Sequence, residues 1–263
     1  EVFRARRVGD GRAVAIKRLF SDLQSRRFIK EARLLQRLRH EHLVEYIDFV
    51  DVEDVADSHN YFLVMELLPG MPGQTLRSRI KNSAAGLDLM ECLELFPHYL
   101  ECLQYLHEKK IIHRDIKPAN LYAPLHHPGG AKVFDLGIAR DISGTATSGY
   151  VPGTLEYMPP ELAREGGERG SPRSDIYSTG LSFYEALTGR PAYKRLPNDE
   201  REAFQQFLQR ASSPGEDVDY DLPIFTRYPR LADIVRKAID SRPDTRYANA
   251  AGMRRDDDRG LVA

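Results

Sequence analysis

The hydrophobic positions of this chain change period near residue 70. Before it they alternate, as strands do; after it they recur every three or four residues, as helices do. Val2-Phe3-Arg4-Ala5-Arg6 reads as a strand, Asp10-Gly11 as a turn signal, and Ala13-Val14-Ala15-Ile16-Lys17 as the returning strand, with Ala15 and Lys17 on one face. A helix is predicted over about 22–39, with Phe28, Leu35 and Leu38 as its apolar stripe and Glu31 on that stripe. Two more strands are predicted near 44–52 and 61–67, with an acidic loop between them. Pro69-Gly70-Met71-Pro72-Gly73 breaks the pattern and separates a small part, 1–68, from a larger one, 74–263. In the larger part Leu93, Leu100, Leu103 and Leu106 lie at helical spacing, with Pro97 expected to bend their helix. A short hairpin is predicted through His126-His127-Pro128-Gly129-Gly130, and helices at about 174–188, 198–210 and 229–240. The charge run 254–259 reads as a solvated end. The pattern predicts an α+β fold: a small antiparallel β-sheet with one helix, then a larger, mainly α-helical portion.

Composition narrows the classes. Hydrophobic residues make up 41% and charged residues 29%, which suits a soluble globular protein. A net charge of -1 gives no electrostatic case for nucleic acid or an anionic membrane as partner. No apolar run reaches the ~18 residues of a membrane span. Cys92 and Cys102 are ten residues apart on one predicted helix, too far to bridge, so both are expected as buried free thiols in a reducing, cytoplasmic setting. The chain does not begin with Met and is expected to be a piece of something longer, so an anchor outside it stays open.

The chemistry concentrates in His113-Arg114-Asp115-Ile116-Lys117-Pro118-Ala119-Asn120, which sets a carboxylate, an ammonium and a carboxamide on one loop. Fifteen residues on, Phe134-Asp135-Leu136-Gly137 ends an apolar strand with a second acid. A carboxylate to orient a hydroxyl, a cation to neutralise phosphate, and an Asn with an Asp to hold Mg²⁺ are the parts phosphoryl transfer needs. In the first part Lys17 ends an apolar strand and Glu31 faces a core, where a carboxylate is costly unless paired. Each is the obvious partner of the other.

These motifs resemble those of the eukaryotic-type protein kinase family, on its serine/threonine side, and the resemblance runs from Val2 to about Arg255. It implies a two-lobe fold with ATP in the cleft: a small lobe over 1–68, a linker at 69–73 and a large lobe over 74–263. It implies transfer of the γ-phosphate of Mg·ATP to Ser or Thr hydroxyls of protein substrates. Asp115 would orient the substrate hydroxyl, Lys117 would neutralise the transferred phosphoryl group, and Asn120 and Asp135 would bind Mg²⁺. Lys17, paired with Glu31, would hold the α- and β-phosphates. Met65 would gate the adenine pocket, Glu66 and Leu68 would offer backbone groups to the purine edge, and Val2, Ala15 and Tyr122 would sandwich the ring. Gly153-Thr154-Leu155-Glu156-Tyr157-Met158-Pro159-Pro160-Glu161 resembles the family's peptide-docking segment. There Thr154 would contact Asp115 and Lys117, and Glu161 would pair with Arg246. Asp175 would brace the catalytic-loop backbone. The compact loops suggest a bacterial homologue.

The chain also departs from the family. Leu136 replaces the Phe after the metal-binding Asp, Pro159 replaces Ala, and Tyr122 replaces an aliphatic residue. The glycine-rich phosphate loop would precede Glu1, so a chain starting here is expected to bind ATP poorly. Arg114 before Asp115 implies phosphorylation of the following loop, at Thr147 or else Thr145 or Ser148, as a switch. Two other classes remain: a catalytically silent scaffold, against which the intact Lys17, Glu31, Asp115, Asn120 and Asp135 argue, and a small-molecule phosphotransferase, against which the 153–161 segment argues.

Overall fold

The alternating first stretch builds a four-stranded antiparallel sheet in the order β1-β2-β4-β3: β1 (Val2–Arg6), β2 (Ala13–Leu19), β3 (Tyr46–Glu53) and β4 (His59–Glu66). The structure is a computed structural model and describes residues 1–19, 33, 35–53, 59–136, 155–163, 170–212 and 218–259. The register sets Val2 opposite Lys17, and Met65 opposite Ala15. Between β1 and β2 the chain turns through Gly11 at φ +69, a left-handed conformation that a residue without Cβ adopts freely. Most of the helix predicted over 22–39 lies outside the described residues. Its described end is helical at 33 and 35 and turns at 36–37, short of the predicted 39, and Leu35 and, just past the turn, Leu38 are both buried.

Past the breaker cluster the fold is helical. Helix α1 (Leu76–Lys81) starts where the Thr75 side chain accepts from the Ser78 N–H at 3.0 Å. Helix α2 (Leu89–Glu108) starts at Asp88, which accepts from the Met90 N–H at 2.9 Å. It runs unbroken through Pro97 and buries Cys92, Leu95, Phe96, Tyr99, Cys102, Leu103 and Leu106. The predicted hairpin forms as β5 (Leu121–Tyr122) and β6 (Lys132–Val133). It reaches back to the sheet: the Val133 N–H donates to the His42 carbonyl at 2.8 Å, and the Val44 N–H to the Val133 carbonyl at 2.9 Å.

Helices α3 (Pro172–Thr188), α4 (Glu200–Ser212), α5 (Pro223–Arg227), α6 (Pro229–Ala238) and α7 (Ala250–Arg259) complete the larger part. The charge run expected as a solvated end forms the last turns of α7. Ala250 and Met253 are buried against α2, and Arg254 then meets Glu101 at 2.8 Å. Two apolar anchors ahead of the charges hold the helix down. A satellite core of Leu155, Met158 and Leu162 packs against Ala203 and Phe207 of α4.

Helix α3 is the central post, buried from Ser174 to Thr188. At Gly180 a Cβ would stand 2.7 Å from the Ala238 Cβ and 2.8 Å from Ile239 Cγ2. Gly180→Ala is therefore expected to destabilise the protein by about 1–3 kcal/mol through overpacking. Urea unfolding reads this directly, and an unchanged or raised midpoint would refute the close contact.

Candidate active site

A cleft of about 410 Å³ opens between the sheet and the helical part, within the size range of small-molecule sites. Strand pairing brings Ala15, Lys17 and Met65 to its wall, because β2 and β4 present residues of one face side by side. Val2, Glu66 and Leu68 line it too. Val44, Met71 and Phe134 also line it, and these the sequence did not signal. Tyr122 is not among the lining residues. It is buried below the linker, and its hydroxyl donates to the Pro69 carbonyl at 2.9 Å. Burial pushes its phenol pKa up, so the hydroxyl stays protonated and able to donate. The Glu66 carboxylate accepts from the Glu45 N–H at 2.8 Å and pairs with Lys132 at 2.9 Å, which fixes the end of β4.

Across this cleft the Lys17 ammonium donates to Asp135. The two residues are 118 apart in the chain; the partner expected of Lys17 from the sequence is Glu31. Glu31 lies outside the described residues, as do Thr154 and the candidate switch residues Thr145, Thr147 and Ser148. Asp135 holds φ +62 and Arg114 φ +65, a region that non-glycine residues seldom occupy and that clusters at functional sites. Leu136, after Asp135, is buried in the main core cluster, which also holds Leu35.

The loop from His113 to Asn120 is built on a buried carboxylate. Asp175, near the start of α3, accepts from the His113 N–H at 2.9 Å, the Arg114 N–H at 2.9 Å and His107 Nε2 at 2.8 Å. The bracing expected of Asp175 is thus present as two hydrogen bonds from the loop backbone, with His107 of α2 adding a third to the same buried acid. His113 then ties two loops together. Its Nε2 lies 3.1 Å from the Phe134 carbonyl, which only accepts, so Nε2 carries the proton. That leaves Nδ1 to accept from the Asp115 N–H at 3.3 Å. Both contacts suit the neutral ring. Burial lowers its pKa, against the raising effect of Asp175, Asp115 and Asp135. The sequence marked His113 only as the start of a motif; this tie exists only in three dimensions.

On that loop the Asn120 side-chain amide donates to the Asp115 carbonyl at 2.8 Å and to Asp115 Oδ2 at 2.9 Å. Lys117 Nζ stands 3.1 Å from the same Oδ2. The Phe134 N–H donates to the Asn120 carbonyl at 3.1 Å, joining this cluster to the Asp135 end of the cleft. Asp115, Lys117, Asn120, Asp135 and Lys17 thus form one connected constellation.

Below it, Arg246 makes the pair expected with Glu161. Its two terminal nitrogens each meet a different Glu161 oxygen at 2.8 Å, in the fork geometry of guanidinium on carboxylate. The Arg246 side chain is fully buried, and its Nε donates to the Asp240 carbonyl at 2.6 Å. Ser174 adds a hydroxyl to Glu161 at 2.9 Å. The pair anchors the segment 155–163 to the top of α3.

A family model described as protein kinase domain matches residues 1–255. A probable serine/threonine-protein kinase of Streptomyces coelicolor is 37% identical over 97% of this chain and 37% of its own length. The probable serine/threonine-protein kinase PknB of Corynebacterium glutamicum is 35% identical over 97% of this chain and 39% of its own length. The chain therefore spans under two-fifths of the length of these two relatives. Among solved structures, that of Rad53 1-466 in complex with AMP-PNP superposes with a TM-score of 0.72 at 24% identity, over 96% of this chain and 60% of that one, a likeness of fold alone. With the matched domain spanning nearly all of its length, the chain belongs to the protein kinase family.

Proposed function

We propose that this chain is a serine/threonine protein kinase that transfers the γ-phosphate of ATP to Ser or Thr hydroxyls of proteins. The observation that carries the reading is the constellation in which Lys17 meets Asp135 across the cleft while Asp115, Lys117 and Asn120 share hydrogen bonds beside it. In this reading Asp115 accepts or orients the hydroxyl proton of the substrate, within reach of Lys117. Lys117 offsets negative charge on the transferred group. Lys17 holds the nucleotide phosphates, and Val2, Ala15 and Met65 wall the base. Glu66 and Leu68 present backbone to its edge, and Tyr122 supports the linker from beneath.

The residues fit Mg²⁺. Asp135 offers a carboxylate, and Asn120, whose amide nitrogen is committed to Asp115, has its side-chain oxygen to offer. Both are the hard oxygen ligands that this ion takes. Bound there, Mg²⁺ would supply charge neutralisation on the phosphates. Thr154, Glu31 and the loop hydroxyls at Thr145, Thr147 and Ser148 keep the roles expected from the sequence. A protein substrate, over a small molecule, is favoured by the Glu161–Arg246 anchor under the docking segment. The buried thiols of Cys92 and Cys102 suit a cytoplasmic setting. Among the described residues no helix is long and apolar enough to cross a membrane.

The test is transfer from radiolabelled ATP, with Mg²⁺, to a general protein substrate and to the protein itself, beside the Asp135→Ala variant. Label on Ser or Thr that is lost in the variant is the expected result. No label from folded, nucleotide-binding protein, or equal label in both, would overturn the proposal.

A further inference from the structure

Away from the cleft, His42, His98 and Glu101 place one ligand atom each within 4.8 Å of one another. His98 and Glu101 stand three apart on α2, so they share a face. His42 comes from the loop ahead of β3. Its Nδ1 lies 3.0 Å from the Ala131 carbonyl, which only accepts, so Nδ1 carries the proton and Nε2 the lone pair. A ring nitrogen held on a backbone carbonyl is the usual support of a metal-bound histidine. The His98 ring lies 4.2 Å from that of His42, tilted by 32°. Its Nδ1 is buried with no hydrogen-bond partner among the described residues. A buried polar atom without a partner is costly. Glu101 accepts from Arg254 through Oε2 at 2.8 Å, which leaves Oε1. His40 stands alongside, its ring 5.7 Å from that of His42, with Nδ1 accepting the His42 N–H at 3.2 Å.

We propose that His42, His98 and Glu101 form a site for a divalent transition-metal ion of the Zn²⁺ class. Two imidazoles and one carboxylate are ligands that Zn²⁺ takes with a water in the fourth position. Mg²⁺ and Ca²⁺ ask for oxygen sets. The ion would fasten the loop before β3 to α2. The consequence reaches the active cleft, because the His42 carbonyl accepts from the Val133 N–H, two residues before Asp135. A bound ion stiffens the junction between sheet and hairpin without touching a reacting group.

The test is equilibrium dialysis of the chelator-treated 263-residue protein against micromolar ZnCl₂, with metal counted per chain and Tm read on the same samples. One zinc per chain and a raised Tm are expected. His98→Gln and Glu101→Gln, at partly exposed positions, are each expected to weaken zinc by at least about 10–100-fold, the range seen even for lost outer partners. Asp135→Ala and a His126→Gln, His127→Gln double variant are expected to retain it. No zinc on the folded wild type, or zinc that persists in folded His98→Gln and Glu101→Gln, overturns the site. So does zinc lost from Asp135→Ala or from the double variant, which places the ion elsewhere.

Discussion

Asp115→Asn is expected to slow phosphoryl transfer by about 10²–10⁴-fold, the contribution of a positioned general base. The change keeps the shape of the side chain and removes its charge. Lys117, 3.1 Å away, loses a counter-ion, and the Asn120 amide loses a charged acceptor at 2.9 Å. The backbone of the loop should hold, because Asp175 still accepts the His113 and Arg114 N–H groups. Single-turnover transfer to a Ser-containing peptide measures the loss, with a thermal scan beside it to show that the fold persists. A rate within threefold of wild type, from folded protein, would remove Asp115 from the role assigned to it.

Arg246→Met is expected to cost about 3–5 kcal/mol of stability, the cost of breaking a buried ion pair from one side. Among the described residues, the substitution leaves the Glu161 carboxylate with the Ser174 hydroxyl alone, and strips the Asp240 and Arg173 carbonyls of a donor. It also removes the cation stacked 4.7 Å from the Tyr177 ring. Adding Glu161→Gln to Arg246→Met should recover part of the loss, because no charge is then buried unpaired. Denaturant unfolding of the two single variants and the double closes the cycle. A loss below about 1 kcal/mol for Arg246→Met would mean that the pair behaves like an exposed one.

The parts legible in the sequence are those whose signal is local. Alternation sufficed for β1 and β2, and so for the shared face of Ala15 and Lys17. The Asp115, Lys117 and Asn120 offsets carried the catalytic loop, and Asp175 and the Glu161–Arg246 pair came through the family resemblance. Helices α1 and α5 were not legible, since six and five residues hold too few turns for a period to show. Helix α7 was hidden by its own charges, although Ala250 and Met253 were enough to dock it. The tie from His113 to Phe134 spans 21 residues, and nothing local marks the ring nitrogen that makes it. Tyr122 sat where a cleft-facing residue was expected, but the reach of its hydroxyl to Pro69 is a matter of depth, which period does not encode.

The Lys17–Asp135 contact joins the sheet to the loop that follows β6. Any opening that parts the two sides must pull opposite charges away from each other, and any closing reunites them. Dissolved ions compete with that attraction, over a screening length of about 8 Å at physiological salt. The resting gap of the cleft is therefore set in part by the surrounding electrolyte, and an anionic ligand that captures the ammonium also releases the carboxylate.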